Sequence, residues 1–197
     1  MSEDTIEGPD GRLRCFWAGR EPETTYHDTE WGFPTTDDTS LFERVCLEGF
    51  QSGLSWRTIL MKRENFRAAF VGFDVEKVAR YTDADVMRLL GDAGIIRHRG
   101  KIEAAVNNAR RAVELIDEFG SLESYFWGYA PAGDHVPNSM TTSPESVAMS
   151  KDLKKRGWRF VGPTTMFALM QATGIVNDHA HECVIRDEVD VALRQRL

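Results

Sequence analysis

Two stretches near opposite ends of the chain carry residues able to bind a metal. "NDHAHEC", residues 177–183, holds His179 and Cys183 four residues apart, a spacing that puts both on one face of a helix. "CFWAGREPETTYH" supplies Cys15 and His27. Two thiolates and two imidazoles make the donor set of a closed tetrahedral zinc site, with no position left for a catalytic water. A metal shared by these segments predicts a clip joining the polar N-terminal stretch to the last helix. The competing reading is two buried thiols and two ordinary histidines, and spacing alone does not choose. His181 falls on another helical face, and Cys46 sits in an apolar stripe as a core thiol.

Such residues need elements that bring them together. The chain has 197 residues, 42% hydrophobic and 28% charged, which is enough for one domain with a real core. The net charge of −7 argues against nucleic acid held by bulk charge, but leaves local basic patches open. The three cysteines do not form a disulfide framework. No signal peptide or apolar run of membrane-spanning length is visible, so a reducing, cytoplasmic setting is expected. Residues 1–13 read as a flexible extension, 14–190 as a single domain and 191–197 as a tail.

Helix signals begin near Asp38. "DDTSLFERVCLEGF" places Leu41, Phe42, Val45 and Cys46 on one stripe. "TDADVMRLLGDAGI" opens with a capping-box pattern, Thr82 and Asp85. "GKIEAAVNNARRAVELIDEFG" keeps helical spacing from Ile102 to Ile116 and closes at Gly120. "SPESVAMSKDLKKRG" ends at Gly157, and "PTTMFALMQATG" starts with Pro163 at a first helical position. Period-2 alternation is nearly absent, so the predicted class is all-α, a bundle around one core. "YAPAGDHVPNSMTTSP" is the long loop expected to be most mobile.

Four longer stretches carry a resemblance. "YHDTEWGFP", "LFERVCLEGFQSGLSW", "AGIIRHRGKIEAAVNNAR" and "LKKRGWRFVGPTTMFALMQATGIVNDH" resemble the DNA-3-methyladenine glycosylase I family of base-excision repair, from about Cys15 to Cys183. The resemblance implies a helix–hairpin–helix glycosylase fold over residues 14–190 and hydrolysis of the N-glycosidic bond of 3-methyladenine in double-stranded DNA. It also implies one structural zinc on Cys15, His27, His179 and Cys183. The interval from Cys15 to His27 is slightly shorter than the family's, and Phe16 stands where the family has a smaller residue. A monomer is expected.

Excision of a base requires extruding the nucleotide, gripping the base and breaking the C1′–N bond. A flat cationic purine calls for aromatic faces, whose cation–π attraction is worth roughly 0.5–2 kcal/mol. It also calls for a carboxylate that accepts from the exocyclic amine and opposes the charge. By resemblance, Tyr26, Glu48 and Trp56 match the base pocket, with Glu48 the catalytic candidate. Leu54, in "SGLS", is the candidate wedge. Asn177 takes the position where related glycosylases carry an Asp, and Asp178 is left without a role. An N3-alkylated purine is already a cation and leaves neutral, so little proton transfer is needed.

"FVGPTT" offers the backbone N–H groups of Gly162, Thr164 and Thr165 to a phosphate. Arg97, Arg99 and Lys101 form one basic cluster; Lys154, Lys155, Arg156 and Arg159 form another. The rival reading is a non-catalytic, zinc-stabilised binder of alkylated DNA. A third is a zinc hydrolase using His179, His181 and one carboxylate.

Overall fold

The computed structural model describes residues 4–133, 135–137 and 140–196. It begins with an antiparallel hairpin of β1 (Thr5–Glu7) and β2 (Leu13–Cys15), in register Thr5 to Cys15. This hairpin occupies most of the stretch read as a flexible extension, of which residues 1–3 lie outside the described residues. Three-residue strands are too short to register as alternation. The buried Arg14 ties the hairpin down instead, pairing with Asp10 and Asp28 at 2.8 Å each.

Helices follow: α1 (Glu23–Thr29), α2 (Asp38–Gln51), α3 (Trp56–Leu60), α4 (Arg63–Ala69), α5 (Val75–Ala79), α6 (Asp83–Gly91), α7 (Arg99–Phe119), α8 (Leu122–Trp127), α9 (Pro144–Lys155), α10 (Pro163–Ala172) and α11 (Arg186–Arg196). The Thr82–Asp85 and Gly120 caps are those read from the residue types, and the structure adds Asp37 before α2. Asp37 accepts the Ser40 N–H at 2.8 Å, the Thr82–Asp85 capping box forms, and Gly120 takes φ 85° to end α7. The boundary drawn at residue 191 falls inside α11, whose Val189 is buried; Leu197 lies outside the described residues. The long loop spans residues 134, 138 and 139, which are likewise outside them.

The main core gathers the inner faces of α2–α10. Phe42, Phe50, Phe66, Phe70 and Phe73 are fully buried in it, each stabilising the fold by roughly 1.5–3 kcal/mol. A second, smaller core joins the two ends of the chain: Cys15, Ala180, Cys183, Ile185 and Val189, with Trp17, Trp31 and Phe33 packed on it.

One prediction is corrected here. Residues 177–183 are not helical. α10 stops at Ala172, and Gly174 takes φ 78° where a Cβ would lie 2.5 Å from the Gly32 carbonyl. The chain then passes close against residues 32–34 and turns, with the Cys183 N–H donating to Ala180 O at 2.9 Å. This turn, rather than a shared helical face, brings His179 and Cys183 each beside the His27 side chain.

Candidate functional site: a donor cluster beside an aromatic cleft

Cys15 at the end of β2, His27 on α1 and Cys183 bring one ligand atom each to within 4.8 Å of one another, all buried. His27 Nε2 is 3.4 Å from the Cys183 sulfur. Its orientation is set from behind, since Nδ1–H donates to Asp28 Oδ1 at 2.8 Å and Arg14 holds Asp28. His179 stands beside them, its ring centroid 4.9 Å from that of His27.

The His179 Nδ1–H donates to Asn177 Oδ1 at 2.8 Å, which leaves the lone pair on Nε2. That Nε2 is buried with no hydrogen-bond partner. Burial, with His27 and Arg186 nearby, pushes the imidazole pKa down to about 3, so the ring is neutral. The two thiols act as a pair. Cys183 is drawn down chiefly because the Cys15 thiol donates to it, with His27 beside it; Cys15 is pushed up because it holds that proton and is buried. Only a cation between them would let both ionise.

The cleft lies next to this cluster and has a volume of about 720 Å³. Tyr26, Glu48 and Trp56 all line it. Tyr26 directly precedes His27 on α1, and its hydroxyl accepts from Arg44 at 3.2 Å. Trp56 is the first residue of α3, after the Ser55 cap, with its ring 5.1 Å from that of Tyr26. The Trp56 indole N–H is buried and unpartnered. Glu48, one turn before the end of α2, is 7% exposed and has no hydrogen-bond partner among the described residues. Burial raises its pKa to about 8, against the opposing charge of Arg44.

Asn177 is not in the cleft. Besides holding His179, its amide donates to Arg186 O and Asp190 Oδ1. Asp178 does line the cleft, held by Gln171 and His135 at 2.6 Å each. His181 is exposed at the rim and is not one of the clustered donors.

The remaining candidates are not among the residues that line the cleft. Leu54 is 40% exposed in the turn after α2, flanked by Gln51 and Ser55 of the cleft wall. Gly162 caps α10, with Thr164 and Thr165 in its first turn. Arg97 and Arg99 are exposed, and His98 between them packs edge-on against Phe160 of the α9–α10 connection at 6.4 Å.

Lys101 is corrected out of the basic cluster. It is buried, and its ammonium donates to Phe50 O at 2.9 Å and Ser52 O at 2.6 Å. It satisfies the carbonyls at the C-terminal end of α2 rather than facing a phosphate. Arg156 is likewise engaged, by Asp152 and Glu118.

Sequence reasoning passed over the supports. Asn108 clamps the α9–α10 connection by exchanging hydrogen bonds of 2.8 and 2.9 Å with the Arg159 backbone, and Asn107 donates to Gly157 O. The signal was present: Asn108 is an amide on the buried side of an otherwise Ala- and Val-rich stripe. Arg14 and Asp28 had no signal, because their pairing depends on the hairpin.

A family model described as methyladenine glycosylase matches residues 17–187. DNA-3-methyladenine glycosylase 1 of Escherichia coli is 48% identical over 177 residues, 86% of this chain and 95% of that protein. Among solved structures, a 3-methyladenine DNA glycosylase I superposes with a TM-score of 0.83 at 45% identity, covering 87% of this chain and 98% of that one. The enzyme of the same name from Staphylococcus aureus, solved for the basis of its 3-methyladenine recognition, gives 0.82 at 34% identity, covering 86% and 94%.

Proposed function

The chain belongs to the methyladenine glycosylase family, and we propose that the cleft between α1, α2 and α3 is where it holds the base it removes. The reaction is hydrolytic release of 3-methyladenine from DNA in base excision repair. Supporting the assignment of the site is one observation: a buried carboxylate, Glu48, without a hydrogen-bond partner among the described residues, facing a cleft walled by Tyr26 and Trp56. A buried polar group left unsatisfied calls for a donor from the ligand.

N3-methylated adenine in DNA supplies that donor as an exocyclic amine, together with a positive charge. Glu48 accepts the amine and opposes the charge, while the Tyr26 and Trp56 rings cover the base faces. The base departs neutral, so no strong acid is required at the leaving group. The pocket's task is to hold the extruded state and favour charge passing from base to sugar. Asp178 adds a second carboxylate to the cleft, kept in place by Gln171 and His135.

Cys15, His27 and Cys183 gather as three donors for one zinc ion, with two thiols that ionise together only around a cation; His179 lies outside that close group, and its buried Nε2, without a partner among the described residues, would be the fourth donor. Bound zinc supplies no chemistry to the reaction, being closed by four protein donors. What the chain gains is position, since Tyr26 and His27 are neighbours on α1. We read α9, the Asn108-clamped connection and α10 as the helix–hairpin–helix element. Gly162, Thr164 and Thr165 take a backbone phosphate there, and Arg97 and Arg99 lie alongside on the same face. The setting we infer is cytoplasmic, and no described helix is long and apolar enough to cross a membrane.

Incubation with methylated duplex DNA and identification of the released base tests the reading. Glu48→Gln is expected to lower the single-turnover rate of 3-methyladenine release by about 10²-fold or more with an unchanged far-UV spectrum. Release at the wild-type rate removes Glu48 from the site.

A further inference from the structure

We propose that Phe16 is a positioning residue for the DNA substrate, an aromatic ring at the mouth of the cleft that packs on the sugar of the extruded nucleotide. This rests on the reading of Tyr26, Glu48 and Trp56 as the base pocket. Phe16 is 64% exposed, yet it lines the same cleft as that trio. It is the only exposed Phe, Tyr or Trp among the described lining residues.

Its backbone is held on both sides. Cys15 is buried in the donor cluster, and the Trp17 ring lies 5.3 Å from His27 and 5.1 Å from Trp31. The Phe16 N–H itself donates to Asp4 O at 3.0 Å. The ring therefore stands in water on a fixed platform, where it adds little to the fold but costs little ordering when a substrate covers it.

Depth sorts the lining groups. Tyr26 and Glu48 are 3% and 7% exposed, whereas Phe16 shares the rim with exposed Arg20 and His181. About 720 Å³ accommodates a whole nucleotide rather than a bare purine. A base seated on Tyr26, Glu48 and Trp56 leaves its deoxyribose at the rim, where the apolar C–H faces of the sugar meet an aromatic face.

The test compares Phe16→Ala and Phe16→Trp with the wild type in three measurements. These are the enzyme concentration giving half-maximal single-turnover release from a methylated duplex, the maximal rate, and the affinity for free 3-methyladenine by titration calorimetry. Phe16→Ala is expected to raise the half-saturating concentration roughly fivefold or more, with the maximal rate, free-base affinity, zinc content and Tm unchanged. Phe16→Trp is expected to restore the wild-type value. Wild-type saturation by Phe16→Ala, or no restoration by Phe16→Trp, overturns the proposal. So does a parallel loss of free-base affinity, which places the ring inside the base pocket. The pocket reading fails separately, if Glu48→Gln keeps full affinity for the free base.

Discussion

At the scale of the residue, Glu48 is a carboxylic acid that burial keeps largely protonated up to about pH 8. A cationic base beside it favours the ionised form, so docking of an alkylated nucleotide expels a proton. As pH rises toward 8, less free energy goes into removing that proton, and affinity for methylated duplex increases. The limit is about tenfold per pH unit, levelling off above pH 8. Glu48→Gln should flatten the profile. Binding of wild type that does not change between about pH 6 and pH 8 sinks this linkage.

Stability runs the opposite way. A folded pKa raised above the unfolded value means that Glu48 favours the fold most at pH values below the ordinary carboxylate range. That contribution declines as pH climbs through about 8. Glu48→Gln should therefore gain Tm relative to wild type at pH 8 and not at pH 5. A thermal melt at the two pH values checks it.

At the scale of the element, Asn108 shows how a helix positions a site it does not touch. Two of its hydrogen bonds end on the Arg159 backbone, and they fix the α9–α10 connection against α7. Asn108→Ala leaves those backbone groups unpaired, costing about 1–3 kcal/mol. Duplex affinity should fall while affinity for free 3-methyladenine stays constant, because the clamp holds the connection leading into the turn proposed to take a phosphate, and Asn108 does not line the cleft. Equal losses in both would place its effect in the core instead.

The elements themselves were largely legible. α2, α6, α7, α9 and α10 each pair an apolar stripe with a cap, and those signals are local. The short helices α3, α5 and α8 and the β1–β2 hairpin depend on packing with distant partners. The four-residue spacing of His179 and Cys183 fits a turn as well as a helix, and Gly174 was the local mark that the helix had ended. Lys101 misled for a different reason. A cation next to two arginines reads as a surface charge until the carbonyls at the end of α2 are in place to receive it. Tyr26, Glu48 and Trp56 were legible only through long motifs, since nothing in their individual spacing predicts that α1, α2 and α3 share one cleft.

At the scale of the whole molecule, two cores of unequal size carry the fold. The larger one is apolar and continuous; the smaller holds only five buried apolar residues and draws them from both ends of the chain. The smaller one depends on the donor cluster, because a polar hairpin and an irregular C-terminal turn bury too little surface to close on their own. Chelation, or Cys183→Ser, should therefore release zinc, lower Tm and open the segments around Cys15 and Cys183 to protease. The far-UV helical signal of the larger core should change little. Because α1 carries His27 into the donor cluster and Tyr26 to the cleft, affinity for the base should fall if the proposed zinc is removed, whereas salt-sensitive binding to undamaged duplex should persist on the Gly162 face. Retention of zinc and Tm by Cys183→Ser would separate that thiol from the cluster. Loss of zinc with base affinity intact would show that α1 holds its place without the metal.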